Sequence, residues 1–336
     1  MKILWQSKNS KVLQAFYEGT VADGINGGNA YDVQSALALS KDFKVVIDPV
    51  TIKKNESVFK YWSRMREYKA KADLLVLEPY PVVFGKRKEA QLSIAIIHHI
   101  DHVLAKKTLY HRWYFYMLLK KLKNCNAIVT VSEHWKNYFI EKKYKNVSVI
   151  YNAFDPSLYG NSDEDEKSFR ARNGIPLEKK IIYIGNAIRE KGVVEVYDAL
   201  KRSDFHLIMT GPRNRVPELK VQYLNLKRKE YLQLLKFSSV VVCFSLMEEG
   251  WNRIAHESLL SHTPVVGKES GGMTELLTKA GQIVVRDKSE IRDAVLKAIA
   301  EREQLIKSGF EFVKQFDMAY FENAWKNIVR SVIKDN

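Results

Sequence analysis

Short apolar runs recur along the first half of the chain, several without polar alternation, and stretches with helical spacing lie between them. Lys2–Trp5, Lys44–Ile47, Asp73–Leu77, Leu92–Ile97, Ala127–Val131 and Val147–Tyr151 read as strands. Asn29–Leu39, Ser57–Lys71, Tyr110–Lys123 and Glu133–Lys142 read as helices. A strand apolar on both faces needs cover on both sides, as in a parallel sheet held between two helical layers. The alternation therefore points to a doubly wound α/β domain. At Asp155-Pro156 it breaks into an acidic stretch reaching Glu166, which reads as a linker or the loop before a helix.

A second alternation follows, with strands at Lys180–Gly185, Phe205–Gly211, Ser239–Ser245, Pro264–Val266 and Gln282–Val285. Its helices are Val193–Arg202, Lys227–Lys236, Asn252–Ser261 and Lys288–Arg302, and the tail Phe310–Lys334 has helical periodicity. A length of 336 residues fits two domains. The expected fold is α/β, with two Rossmann-like doubly wound parallel-sheet domains facing a cleft. Residues 1–158 form the first, 159–310 the second, and 311–336 a helix packing back toward the first. Ligands in such sheets bind beyond the carboxyl ends of the strands, usually at helix N-termini.

A composition of 46% hydrophobic and 28% charged residues fills two cores and excludes wholesale disorder. The longest apolar and aromatic run, Trp113–Leu119, falls short of the roughly 20 residues a membrane span needs. The apolar stretch in Met1–Gln6 is too short for a signal peptide. Cys125 and Cys243 have neither metal-ligand spacing nor the look of a disulfide framework. A cytoplasmic, reduced, soluble protein is expected. The net charge of +15 is uneven: residues 1–160 hold 25 Lys and Arg against 14 Asp and Glu, and so carry +11 of it. That excess is either a solvated Lys-rich surface or a face turned to something anionic, nucleic acid or a membrane leaflet.

Four patterns carry chemistry. In the first, the run Val240–Phe244 ends at Ser245, a loop turns at Gly250, and a helix starts near Asn252. The backbone N–H groups of Asn252, Arg253 and Ile254 can there hold a phosphate or a sugar hydroxyl. Glu249 and Glu257 flank that start eight residues apart, about 2.2 helical turns less what the loop removes, so both carboxylates can reach one polyol. In the second, Ile181–Ile184 delivers Gly185 and Asn186, then Arg189 and Lys191, positive charge suited to a diphosphate. In the third, Gly24-Ile25-Asn26-Gly27-Gly28-Asn29 opens the first long helix, and its glycines permit close backbone approach to an anion; its spacing is neither that of the dinucleotide fingerprint nor that of the P-loop. In the fourth, Ile96-Ile97 empties into His98-His99-Ile100-Asp101-His102. The i,i+4 spacing of His98 and His102 would serve a metal only on a helix, and this is a strand end, so a histidine meeting substrate is preferred and no metal is expected.

Together with Thr263-Pro264-Val265-Val266, Gly271-Gly272-Met273-Thr274-Glu275-Leu276, Val131-Ser132-Glu133 and Val149–Asp155, the Glu-x7-Glu pair resembles retaining glycosyltransferase family 4, of GT-B fold. The resemblance covers nearly the whole chain and is more specific in the C-terminal half. It implies an acceptor-side first domain, a nucleotide-sugar-binding second domain, and a metal-independent hexosyltransferase with no cofactor beyond its donor. Glu257 would receive the nucleotide ribose and Glu249 the donor-sugar hydroxyls. The backbone of Asn252, Arg253 and Ile254 would hold sugar and diphosphate. Lys191 would neutralise the leaving diphosphate, and Gly28, with Gly27, would approach the phosphates from the other domain. His98, or His99 if the strand register slips by one, would contact the donor sugar or stabilise charge in transfer. Where the family has Arg after the glycine this chain has Asn186, and Arg189, Arg213 or Arg253 are candidate substitutes. The family's Gly-Phe-Gly loop is Gly250-Trp251-Asn252, which would narrow the sugar pocket.

Rival readings are another GT-B enzyme, a nucleotide-sugar epimerase or an inverting transferase, and a basic nucleic-acid-binding protein. Scattered Lys and Arg without a recognisable module speak against the last, so no nucleic-acid partner is expected. Between His102 and Ser132 there is no acidic residue, while Lys106, Lys107, Arg112, Lys120, Lys121 and Lys123 accompany an aromatic run. Residues 102–124 are therefore a candidate contact with anionic membrane, peripheral at its inner face, beside a glycan or lipid-linked acceptor.

Overall fold

The computed structural model describes residues 1–19, 27–50, 53, 55–67, 71–85, 91–160 and 164–334. They divide into two compact units, Met1–Asn152 with Met318–Asn336, and Ala153–Asp317.

The first unit carries β1 (Lys2–Ser7), β2 (Lys44–Pro49), β3 (Leu74–Leu77), β4 (Leu92–Ile97), β5 (Ala127–Thr130) and β6 (Val147–Val149) in one parallel sheet. Its order is β2-β1-β3-β4-β5-β6. The all-buried β3 and β5 are the runs lacking polar alternation, as a sheet covered on both faces requires. One layer of cover comes from helices Pro79–Phe84 and Leu109–Leu122, which bury Phe84, Tyr114, Leu118 and Leu122 against Leu75, Leu77, Ile97 and Ile128. The helix Met318–Lys334 completes the unit, burying Phe321, Trp325, Val329 and Val332 and packing on the helix Gly27–Ser40.

The second unit carries β7 (Lys180–Asn186), β8 (Phe205–Thr210), β9 (Gln222–Leu224), β10 (Val240–Cys243), β11 (Val265–Lys268) and β12 (Ile283–Val285), again all parallel. Its order is β12-β11-β10-β7-β8-β9. Chain direction across this sheet reverses between β7 and β10, and such a switch point leaves a crevice beyond the strand ends. The stretch 311–336, read from the sequence as one helix, is two. Arg302–Val313 ends before Phe316, which is buried and edge-on to Trp251, and the helix Met318–Lys334 follows. Lys288–Arg302 also divides: Asp287 and Glu290 form a capping box on a one-turn 3₁₀ helix, and Ile291–Ala300 continues as α-helix.

Candidate active site

In the second unit, the loops leaving β7 and β10 meet at the switch point. The Leu246 N–H donates to the Glu190 carbonyl at 2.9 Å, tying the two loops together. Gly192, at φ 70°, lies so close to the Phe244 carbonyl that a Cβ there would collide with it. Across this junction Lys191 Nζ donates to Glu249 Oε1 at 2.6 Å, with the carboxylate nearly buried and the ammonium one-third exposed. The Glu249 main chain is held from behind by the helix Gly271–Lys279. Its N–H donates to Ser270 Oγ at 3.3 Å, and its carbonyl receives the Gly272 N–H at 2.9 Å. Gly271, at φ 52°, is the residue whose missing Cβ makes room for that carbonyl. The Cys243 thiol beneath is pushed up to about 12 by burial and then by the Glu249 charge, so it stays protonated.

Asn252 adopts left-handed backbone, φ 75°, and its side chain caps the helix Arg253–Leu260 by accepting the Ala255 N–H at 2.9 Å. Its side chain thus serves the helix, leaving the first-turn backbone N–H groups, that of Ile254 included, outside the intrahelical ladder. Trp251 does not narrow an open pocket. It is buried, donating Nε1–H to His256 Nδ1 at 3.1 Å and meeting Phe316 edge-on. Burial, then the Arg253 charge, holds His256 down at about 3, so this histidine is a neutral core residue.

Glu257 is buried in a polar cage. Oε1 accepts from the Tyr159 hydroxyl at 3.2 Å and pairs with the Arg228 guanidinium at 2.5 Å, while Oε2 accepts from the Tyr231 hydroxyl at 3.3 Å. Arg228 also donates to the Tyr159 oxygen at 2.7 Å. Burial and then the Glu257 charge raise both phenols above their ordinary values, keeping them donors. Of the other cationic candidates, Arg189 pairs with Glu218 at 2.5 Å on the surface, Arg213 lies over the Tyr223 ring, and Arg253 lies 4.4 Å from the Phe154 ring centroid. Asn186 Oδ1 accepts from Thr210 and, at 3.3 Å, from Tyr183.

In the first unit, Gly27 and Gly28 open the fourteen-residue helix Gly27–Ser40, and Gly24–Asn26 lie outside the described residues. His98 follows β4 directly, and its Nε2 lies 3.0 Å from Asp32 Oδ1. His102 begins the helix His102–Lys107 and packs near Trp135 and Tyr138. Among the described residues no group of three or more His, Cys, Asp or Glu side chains is placed to hold a metal ion.

The family model described as Glycosyltransferase Family 4 matches residues 41–158, and that described as Glycosyl transferases group 1 matches residues 178–301. The chain is a glycosyltransferase of the GT-B type. It is 24% identical to an uncharacterized glycosyltransferase of Methanocaldococcus jannaschii over 74% of this chain and 69% of that one. It is 22% identical to TuaC of Bacillus subtilis, named as a candidate teichuronic acid biosynthesis glycosyltransferase, over 59% of this chain and 52% of that one. The chain thus matches about half the length of TuaC. Among solved structures, sucrose-phosphate synthase from Thermosynechococcus elongatus shares the fold at TM-score 0.78 and 17% identity, covering all of both chains. HepE from Anabaena, solved in complex with UDP-glucose, does so at TM-score 0.73 and 17% identity, over 98% of this chain and 100% of that one.

Sequence reasoning about this glycosyltransferase singled out Lys191, Glu249, Glu257 and His98 but missed the side chains that hold Glu257 and His98. Arg228, Tyr159 and Asp32 carry no spacing signal: Tyr159 lies 98 positions from Glu257 and Asp32 lies 66 from His98. Only the fold brings them together.

Proposed function

We propose that the protein is a retaining, metal-independent hexosyltransferase. It would move a hexose from a nucleotide-diphosphate sugar to a glycan or lipid-linked glycan acceptor in cell-envelope polysaccharide or glycoconjugate synthesis. The observation that carries this reading is the Lys191–Glu249 pair at the β7/β10 switch point, beside a helix N-terminus and in the same unit as the caged Glu257. An ammonium and the first-turn N–H groups suit a departing diphosphate, as a divalent cation does in other sites. The Glu249 carboxylate suits hydroxyls near the reacting carbon and Glu257 those of a ribose. The nucleotide sugar named in the HepE complex and the pathway in the TuaC name support the same donor and product classes. The test is acceptor-free hydrolysis of a nucleotide-hexose panel in EDTA. Turnover of at least one UDP- or GDP-hexose is expected; activity abolished by EDTA and restored by Mg²⁺ or Mn²⁺ would sink the metal-free mechanism.

Residues 102–124 support a peripheral place at the inner face of the membrane. Leu109, Val103, Tyr116 and Trp113 are exposed on the helices His102–Lys107 and Leu109–Leu122, while Tyr114, Leu118 and Leu122 fill the core. Lys106, Lys107, Arg112, Lys120 and Lys123 are exposed too; Lys121 instead donates to the Val83 carbonyl. Five cations at about 1 kcal/mol each give reversible attachment to an anionic leaflet. Among the described residues no helix is long and apolar enough to cross a membrane. Co-sedimentation with anionic but not neutral vesicles, lost at high salt, is expected. Equal partitioning to both lipids, or to neither, would favour an acceptor away from the membrane.

A further inference from the structure

The first unit contains a histidine whose orientation is fixed more tightly than a surface contact needs. His98 has one ring nitrogen, Nε2, 3.0 Å from Asp32 Oδ1, on a carboxylate that is almost wholly buried. Its ring stands edge-on to Tyr31, centroids 5.1 Å apart, and Tyr31 is itself fixed: its hydroxyl donates to the Ile150 carbonyl at 2.9 Å, and Phe321 and Trp325 of the C-terminal helix pack on its ring. The imidazole is about one-fifth exposed. A carboxylate accepts hydrogen bonds and donates none, so in neutral His98 the proton resides on Nε2 and Nδ1 carries a lone pair. A second buried carboxyl lies near: Glu78, after β3, is pushed up to about 8 by burial and then by the Asp32 charge.

We infer that Asp32 is a positioning residue, holding His98 in the tautomer whose Nδ1 receives a hydroxyl hydrogen from a sugar bound to the first unit. The inference rests on the glycosyltransferase reading for its substrate class, but the tautomer itself does not depend on it. Asp32→Asn keeps the shape and lets the amide donate to Nε2, which turns the imidazole to the opposite tautomer, with the proton on Nδ1.

The test has two arms, both on the full chain. Long-range ¹⁵N–¹H correlation of the ligand-free protein, with His98→Gln assigning the signals, reads the tautomer. The expected result is a protonated Nε2 and an unprotonated Nδ1 in the wild type, a pattern lost in Asp32→Asn. A protonated Nδ1 in the wild type, an even mixture, or no change in Asp32→Asn overturns the inference. The second arm is turnover of the nucleotide-hexose panel, where Asp32→Asn is expected to lose about 100-fold in kcat with KM changed less than threefold. Unchanged kcat alongside the altered tautomer also overturns it, since Asp32 would then orient a histidine that does no work. If wild-type protein turns over no nucleotide hexose, the functional reading fails, and the spectra still decide whether Asp32 sets the tautomer.

Discussion

Glu249→Ala is expected to lower turnover of the hexose donor by about 10²–10³-fold, the usual cost of deleting one preorganised polar group at the reacting centre. The substitution removes the partner of Lys191 at 2.6 Å. It leaves the main-chain bonds to Ser270 and Gly272 untouched, so the loop keeps its course and the loss reports chemistry rather than folding. Glu257→Gln should separate from it by acting on affinity. It keeps the shape of the carboxylate but gives up its charge toward Arg228 and two phenols; with Glu257 in its proposed role toward the donor ribose, the change should cost donor binding about 1.5–3 kcal/mol. That corresponds to roughly a 10- to 150-fold rise in donor Kd. Steady-state kinetics on both variants, with donor affinity by titration, reads the split. Wild-type kinetics in both would remove the site assignment.

The second large effect is on stability. Trp325 lies fully buried in the C-terminal helix, its ring 5.9 Å from that of Trp5 in β1 and 6.4 Å from that of Tyr31. Truncation to alanine leaves a cavity between that helix, the sheet and the helix Gly27–Ser40, costing about 3–5 kcal/mol. For a unit of this size the melting temperature should fall by about 6–20 °C. Ile333→Ala on the same helix, at an exposed position, should change it by no more than about 2 °C. Differential scanning calorimetry distinguishes the two; a Trp325→Ala protein melting with the wild type would mean that the helix is not part of the first unit's core.

The strands that were legible before the structure are those buried on both faces. Leu74–Leu77 and Val240–Cys243 are apolar throughout and Ala127–Thr130 up to its last residue, because each lies inside its sheet, buried along its whole length; the Thr130 hydroxyl is satisfied by the Ser132 and Ser148 carbonyls. β9 was not legible, for the converse reason. It is three residues long at the sheet edge, with Gln222 and Tyr223 half-buried, and one neighbour suffices to hold it. The helix Ser10–Tyr17 escaped notice because the signal that starts it is a single Asn9 cap directly after β1. The helix Gly271–Lys279 was hidden by its two opening glycines, residues that read as loop until the Glu249 carbonyl is seen to need the space.

The same limit separates the parts of the site. Lys191, Glu249 and the capping Asn252 lie in the stretches that follow the carboxyl ends of β7 and β10, so the alternation of elements already places them beyond the strand ends. What holds Glu257 and His98 in place comes from Tyr159, Arg228, Tyr231 and Asp32, whose identities mean little until distant segments are folded together.

Acceptor-free hydrolysis across UDP- and GDP-hexoses, run in EDTA with wild-type and Glu257→Gln protein side by side, tests the donor site most directly. At least one nucleotide hexose should be turned over without metal, and the variant should need a donor concentration roughly 10- to 150-fold higher for the same rate. The contradicting result is no turnover of any donor, with a short oligonucleotide raising the melting temperature while UDP and GDP leave it unchanged.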